Sequence, residues 1–177
     1  AKCVDRLTAE FIPTDYFNTV LWTGNATDDR NITGVGFSPN MVWIKSRGTP
    51  NDNMIFDTQR GVGKYLRTNS TDAQDSNADT LQSFDADGFQ IGADSRLNTN
   101  NDPVSSWNWY AATAVSGNSG GSGDDVPYTG TVNTDAGFSI IKYGGNGVTG
   151  HQVPHHLGVV PDMIWIKNIT TQSWNCW

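Results

Sequence analysis

The sequence is poor in helix-forming residues and in several residue types on which catalytic and metal sites depend. Glutamate occurs once, as Glu10, cysteine occurs twice and histidine three times in 177 residues. Leu, Glu, Lys and Ala are sparse, whereas Gly reaches 19 residues and Asn, Thr, Asp and Ser fill the spaces between apolar runs. This balance favours short strands joined by many turns. The composition therefore predicts an all-β protein.

Basic residues and long apolar runs are also scarce. The 11 Lys and Arg residues are scattered, and 18 Asp and Glu residues bring the formal charge to -7. A nucleic-acid surface needs a basic stripe, and an acidic surface repels nucleic acid and anionic membranes. No apolar run approaches about 18 residues, and no signal-peptide pattern opens the sequence. We therefore expect no nucleic-acid partner, no membrane insertion and no secretion signal.

The two cysteines, Cys3 and Cys176, stand near opposite ends of the sequence. Two thiols do not define a disulfide framework, and sequence alone leaves open whether they meet. We expect both to be free, as in a protein that folds in a reducing cytoplasm.

Motifs for catalysis are incomplete. The sequence contains no Gly-x-Ser-x-Gly elbow, and its histidines all lie in the last 27 residues. We therefore predict no catalytic residues and no enzyme. A polysaccharide-degrading enzyme remains as an alternative, because its paired carboxylates are defined by their separation in space rather than in sequence.

Metal and cofactor motifs are incomplete as well. The segment Asp85–Gly88 resembles the start of a calcium loop, but the later ligands of an EF-hand do not follow, so a hairpin turn explains it better. A looser calcium site that uses Asp85, Asp87 or Asp94 stays open. His151 and His155 could share one face of an extended segment, but no Cys or carboxylate lies near them to complete a zinc site. We predict no metal and no cofactor.

Turn residues and strand patterns divide the sequence into four parts. Residues 1–16 have no sustained periodicity and predict a lead-in or anchoring arm. Residues 17–112 contain alternating strand segments, including a run from Met41 to Lys45 that is apolar on both faces and predicts a central strand. Residues 113–127 are rich in Gly and Ser and predict a linker. Strand patterns resume over residues 128–177.

The two strand-rich parts resemble each other. Residues 17–25 are similar to residues 138–146, and residues 39–45 are similar to residues 161–167. The order is the same, with one inserted residue between the two matching blocks. A spacing of this size indicates a whole domain repeated in tandem rather than a small solenoid unit. We therefore predict a complete first unit and a second unit that is cut short, so that the chain is a segment of a longer protein or is completed by another chain.

Seven tryptophans are the residues best suited to binding. Trp43 and Trp165 occupy matching places in the two Met-x-Trp-x-Lys segments, and Trp107 and Trp109 share one strand face because side chains alternate with period two. Aromatic faces stack on sugar rings and on partner proteins, although the same residues also build cores and interfaces. We predict these four tryptophans as candidate contacts for a glycan or a protein partner.

Several spaced motifs of the first unit lie in residues 16–25, 32–39, 42–45, 57–64 and 83–89. Further motifs of the second unit lie in residues 134–140 and 156–161. Together these motifs resemble a family of uncharacterised tandem β-repeat domains found in tail-fibre-like virion proteins of tailed phages, often marine phages and cyanophages. The resemblance covers nearly everything after Tyr16, and its motifs are specific as a set and weak singly.

The resemblance implies an antiparallel β-sandwich of a lectin-like or jelly-roll-like kind, arranged in tandem in a long appendage. It implies a phage structural protein, part of a tail fibre or similar appendage used in host attachment. The expected partners are other virion proteins, copies of the same chain in a homotrimer or other homo-oligomer, and a host surface glycan. The expected location is the virion, assembled in the host cytoplasm. A capsid-decorating or head-fibre protein without a receptor role is the main alternative.

Overall fold

The computed structural model describes residues 12–170 and 173–177. Strands dominate, and the helical residues of this part form one 3-10 turn at Pro13–Asp15 and one short helix, α1, at Ser95–Asn98. No helix within the described ranges is long and apolar enough to cross a membrane. The prediction of an all-β antiparallel protein is confirmed. Most of the predicted N-terminal arm lies outside the described residues, as does Cys3.

Sixteen strands are assigned in the described ranges. In chain order they are β1 (Phe17–Thr23), β2 (Arg30–Thr33), β3 (Met41–Ser46), β4 (Met54–Asp57), β5 (Lys64–Arg67), β6 (Asp75–Ser76), β7 (Leu81–Asp85), β8 (Gly88–Ile91), β9 (Pro103–Trp109), β10 (Thr113–Asn118), β11 (Gly120–Gly121), β12 (Pro127–Asn133), β13 (Phe138–Tyr143), β14 (His151–Gln152), β15 (Trp165–Lys167) and β16 (Trp174–Cys176).

Two antiparallel sheets formed by residues 17–109 enclose the main core. The larger sheet has the order β1-β9-β3-β4-β5-β6, and the smaller has the order β2-β8-β7. β3 lies between β9 and β4, as the apolar run from Met41 to Lys45 predicts. Side chains from both sheets pack into one cluster, which gives this part of the chain a sandwich-like arrangement. The buried members of that cluster are Ile32, Val35, Phe37, Val42, Ile44, Met54, Phe56, Tyr65, Leu81, Phe89, Ile91, Leu97 and Val104.

The predicted hairpin turn at Asp85–Gly88 joins β7 to β8. Gly88 has a φ of 139°, and a Cβ at that position would collide with the carbonyl oxygen of Ile32. The Asp87 carboxylate accepts hydrogen bonds from the backbone N–H groups of Gly36 at 2.6 Å and Gly34 at 3.1 Å. These bonds hold the pKa of Asp87 below its usual range. The turn is therefore tied to the loop that follows β2.

Residues 113–127 contain β10 and β11, and their role as a linker between two units stays a prediction. Residues 113–118 form β10, which pairs with β12 along its whole length, and Gly121 pairs with His151 of β14. Two of the glycines here, Gly117 and Gly121, permit close packing. A Cβ on Gly117 would lie 2.9 Å from the hydroxyl oxygen of Tyr128. Composition alone does not distinguish glycines that permit close backbone approach from glycines of a linker.

Replacing Gly121 tests whether this segment packs closely against its neighbours or behaves as a flexible linker. Gly121 has a φ of 84°, and a Cβ there would collide with the carbonyl oxygen of Gly150. We expect Gly121→Ala to lower the free energy of unfolding by about 1–3 kcal/mol, because it combines left-handed backbone strain with a backbone clash. Urea denaturation measures the change. Gly145→Ala is the matched control, since a Cβ on Gly145 meets nothing within 4 Å. Equal stability of the two variants would support a flexible linker instead.

The C-terminal part forms smaller sheets, and some of its side chains pack against the larger sheet of the sandwich. β10, β12 and β13 form one sheet, and β15 pairs with β16. Phe138, Ile140 and Trp174 pack on a second apolar cluster of buried residues formed by Met41, Ile55 and Leu66. Both segments that resemble parts of the first unit contain strands. The strands in the matching segments differ in their pairing, since β15 lies in a two-stranded sheet whereas β3 lies inside a six-stranded one. The tandem repeat and the unit boundaries therefore stay predictions.

Candidate binding cleft

The face of the larger sheet that points away from the sandwich core carries a row of aromatic and aliphatic side chains, which we name the outer face. Strand alternation places Met41, Trp43, Ile55, Leu66, Trp107 and Trp109 there. Trp43 and Trp107 are direct neighbours on β3 and β9, with ring centroids 5.4 Å apart. Trp107 and Trp109 therefore share one face of β9, as the period-two pattern of the sequence predicts.

The β15–β16 hairpin lies over part of the outer face. The ring of Trp165 meets the ring of Trp43 edge to face, at a centroid distance of 5.8 Å and an interplanar angle of 86°. This is a favourable geometry for an aromatic pair. Trp174 donates from its indole nitrogen to the carbonyl oxygen of Arg67 at 2.9 Å. The hairpin is thus attached to the larger sheet at two tryptophans.

A cleft of about 320 Å³ opens between the hairpin and the outer face. We name it the aromatic cleft. The residues that line it are Trp43, Asn53, Thr68, Trp165, Trp174, Asn175 and Cys176. A shallow polar depression adjoins it, formed by residues 68–71 together with Trp174. Indole rings next to amide and hydroxyl side chains combine an apolar stacking surface with hydrogen-bonding groups, as small-molecule sites do.

Two polar atoms on residues of the aromatic cleft lack a hydrogen-bond partner among the described residues. They are the indole nitrogen of Trp43 and the hydroxyl oxygen of Thr68, both buried. Buried polar groups are nearly always paired, and an unpaired one costs free energy. Both atoms have almost no solvent-accessible surface, so they do not face the open space of the cleft. Trp165 remains 42% exposed, so part of its surface is accessible.

A charged network borders the cleft at Arg67. Its guanidinium group contacts three carboxylates, at 3.0 Å from Asp52, 3.1 Å from Asp72 and 2.9 Å from Asp75. Burial alone would lower the pKa of Arg67, but Tyr65 and the carboxylates outweigh it and raise that pKa. The hydrogen bond from Tyr65, with a smaller contribution from Arg67, lowers the pKa of Asp75. One cation therefore faces three anions at this border.

A protein-family model matches residues 12–177, and it describes a domain of unknown function, DUF7483. The chain belongs to the DUF7483 family. The match spans both sides of the aromatic cleft, from the larger sheet to the β15–β16 hairpin. No curated protein and no solved structure matches this DUF7483 chain.

The four candidate tryptophans of the DUF7483 chain occupy two different settings. Trp43 and Trp165 line the aromatic cleft. Trp107 lies beside Trp43 on the neighbouring strand β9, in contact with its ring. Trp109 lies farther along the outer face and stacks on Phe138 at 5.9 Å, so its contacts are with the protein itself. The structure thus brings Trp43, Trp107 and Trp165 together and gives Trp109 a packing role.

Sequence reasoning missed the other residues that line the cleft. Trp174 follows the last pattern used to predict strands, and it reaches the cleft because β16 pairs with β15. Asn53 and Thr68 flank the paired strands β4 and β5. Nothing in the spacing of these residues indicates that they meet. Of these residues, only Trp174 could have been identified from the sequence, by considering every tryptophan in the turn-rich segments as a candidate.

The aspartates considered for calcium have protein partners in the DUF7483 chain. Asp85 accepts from the Ser83 hydroxyl at 2.7 Å, and Asp94 binds Arg96 at 2.6 Å. Burial opposes ionisation of Asp94, but hydrogen bonds from Arg96 outweigh it and lower the pKa of that carboxyl. Within the described residues no group of three or more His, Cys, Asp or Glu side chains is placed to hold a metal ion.

The histidines of the DUF7483 chain contact neighbouring loops and strands. The Nε2 atom of His151 lies 2.6 Å from the Ser119 hydroxyl, and that of His156 lies 2.8 Å from the Tyr128 hydroxyl. Ser119 is only 2% exposed and also accepts a hydrogen bond from the Val126 N–H, so the Ser119–His151 pair connects the segment between β10 and β11 to β14. Cys176 is exposed and free.

Proposed function

We propose that this chain is a structural module of a tailed-phage virion appendage, such as a tail fibre, and that it takes part in host attachment by binding a surface glycan. The sequence resemblance to tail-fibre-like β-repeat domains supports the virion setting. The module belongs in the virion after assembly in the host cytoplasm. Its role is binding and structural, without a catalytic step or a cofactor.

The aromatic cleft is the single observation that carries the glycan-binding part. Three indole rings, those of Trp43, Trp165 and Trp174, border a cleft whose other walls are mostly amide and hydroxyl side chains. Aromatic rings stack on the apolar faces of sugar rings, and amide and hydroxyl groups pair with sugar hydroxyls.

A glycan array with the full chain and two variants tests this proposal. We expect the native chain to bind a subset of glycans and Trp165→Ala to lose about tenfold or more in affinity, because it removes a stacking ring. Trp177→Ala is the matched control, since Trp177 is 76% exposed and does not line the cleft. Absence of glycan binding by the native chain, or equal loss in both variants, would contradict the proposal.

Assembly with other virion proteins and with copies of the same chain, as a homotrimer or other homo-oligomer, is part of the proposal. Apolar side chains of the C-terminal part are well exposed, including Val160 at 89%, Met163 at 62% and Trp177 at 76%. Clusters of exposed apolar residues mark association surfaces. The same observation favours a second candidate function, a capsid-decorating or head-fibre protein without a receptor role. Localisation of the chain in an imaged virion separates the two.

A further inference from the structure

We propose that the aromatic cleft selects uncharged sugars and rejects acidic ones, so that the ligand is a neutral pyranose unit of an oligosaccharide. This inference rests on the proposed glycan-binding function and deepens it by naming the ligand class. It follows from three features of the cleft: its uncharged lining, the surplus of carboxylates at its border, and the use of the nearby cations in bonds within the protein.

The lining of the cleft carries no carboxylate, ammonium or guanidinium group among the described residues. Its polar members are two asparagines, one threonine and one cysteine beside the three indole rings. A carboxylate or sulfate buried against such a surface would lose hydration without gaining a cation. A neutral sugar loses less hydration, and its hydroxyls can pair with the amide and hydroxyl groups.

The border of the cleft has a surplus of negative charge. Arg67 contacts Asp52, Asp72 and Asp75, and Lys167 interacts with Asp72, so three carboxylates face two cations. The Asp72 side chain is 60% exposed and the Asp52 side chain is 37% exposed, so both project a field into the solvent near Thr68. This field repels an approaching anion and leaves a neutral ligand unaffected.

The cation nearest to the hairpin strands is also occupied. Lys167, at the end of β15, directs its ammonium group to the carbonyl oxygens of Asn168 at 2.7 Å and Thr71 at 3.5 Å. Burial lowers the pKa of this ammonium group, and the nearby Asp72 carboxylate opposes that effect without cancelling it. Lys167 thus ties the hairpin to residues 68–71, and the nearby carboxylate of Asp72 offsets its charge.

A matched pair of oligosaccharides tests the assignment on the full chain. The probes are a neutral glucose oligomer and the same oligomer oxidised to carry a glucuronate unit, with the pair repeated for galactose and for mannose oligomers. For any sugar that binds, we expect the acidic member to bind about tenfold more weakly at low salt, which is the effect of one repulsive contact of about 1.4 kcal/mol. The difference should shrink at 0.5 M NaCl because salt screens exposed charges.

The outcomes separate this inference from the function on which it rests. Equal or tighter binding of the acidic members overturns the selection for neutral sugars and leaves glycan binding standing. Binding of neither member of any pair, together with an empty glycan array, overturns glycan binding and this inference with it.

Charge-removing variants give a second test. We expect Asp72→Asn to raise the affinity for the acidic members severalfold and to leave the affinity for the neutral members unchanged. Asp28→Asn is the matched control, because Asp28 bonds Gln82 of the smaller sheet, on the far side of the sandwich from the outer face. An equal effect of the two variants would show that only the net charge matters and would contradict a local field at the cleft.

Discussion

Asp57→Ala should lower the free energy of unfolding by about 3–5 kcal/mol, because it leaves a buried guanidinium without its counterion. Asp57 ends β4, and its side chain is 11% exposed, whereas that of Arg60 is 5% exposed. The carboxylate accepts from the Nε atom of Arg60 at 2.5 Å and from its backbone N–H at 2.9 Å. Without Asp57, Arg60 keeps one side-chain hydrogen bond, to the carbonyl oxygen of Ile55 at 2.8 Å. Chemical denaturation followed by tryptophan fluorescence measures the loss.

The double variant Asp57→Ala with Arg60→Met is the control for this mechanism. It removes the buried charge together with its partner, and a buried ion pair replaced by apolar groups is often nearly neutral in stability. We expect the double variant to recover most of the stability that the single variant loses. A double variant no more stable than Asp57→Ala alone would show that the carboxylate acts through its turn hydrogen bonds rather than by neutralising Arg60.

Phe89→Ala should cost about 3–5 kcal/mol of stability, as expected for truncation of a buried aromatic ring. Phe89 lies on β8 in the smaller sheet and is fully buried. Its ring meets that of Trp22, on β1 of the larger sheet, edge to face at 5.9 Å. The substitution therefore opens a cavity between the two sheets, at a contact on which their packing depends. Urea denaturation gives the change in the free energy of unfolding.

Leu21→Ala is the matched control for the core substitution. Leu21 precedes Trp22 on β1, but its side chain points away from the core and is 60% exposed. We expect the free energy of unfolding of the Leu21→Ala variant to stay within about 0.5 kcal/mol of the native value. Comparable losses in Phe89→Ala and Leu21→Ala would contradict the assignment of the shared core between the two sheets.

Strands with a strong apolar pattern could be predicted from the sequence. The run from Met41 to Lys45 is apolar on both faces, and it forms a central strand with the sandwich core on one side and the second apolar cluster on the other. The hairpin at Asp85–Gly88 was predicted from its turn residues, because a glycine at that position permits a backbone that other residues avoid. In both cases the local pattern and the tertiary setting favour the same structure.

Strands that depend on distant partners could not be predicted in this way. β2 spans Arg30–Thr33, where Ile32 alone is buried, and it exists because it pairs with β8, about 60 residues later in the chain. β10 consists largely of exposed residues and contains Gly117, so its composition resembles a linker while its pairing with β12 makes it a strand. Such strands are determined by register and pairing rather than by local propensity.

The candidate site was predictable only in part, for the same reason. Period-two alternation places Trp43 on one side of its strand, and the motif match singled out Trp165 as its counterpart. Their contact across the aromatic cleft depends on where the β15–β16 hairpin rests, which involves Trp174 and the backbone of Arg67. Local sequence does not encode that position, so the polar residues of the cleft could not be assigned before the structure was known.

Indole N–H signals in ¹⁵N NMR spectra of the full chain test binding in the aromatic cleft most directly. On addition of a glycan that the array identifies, we predict saturable shifts of the Trp43, Trp165 and Trp174 signals. The signals of Trp22, whose ring packs against the sandwich core, and of Trp177, which does not line the cleft, should stay in place. Shifts confined to Trp177, or no shift of Trp43, Trp165 and Trp174 at a saturating glycan concentration, would contradict the assignment of the cleft as the binding site.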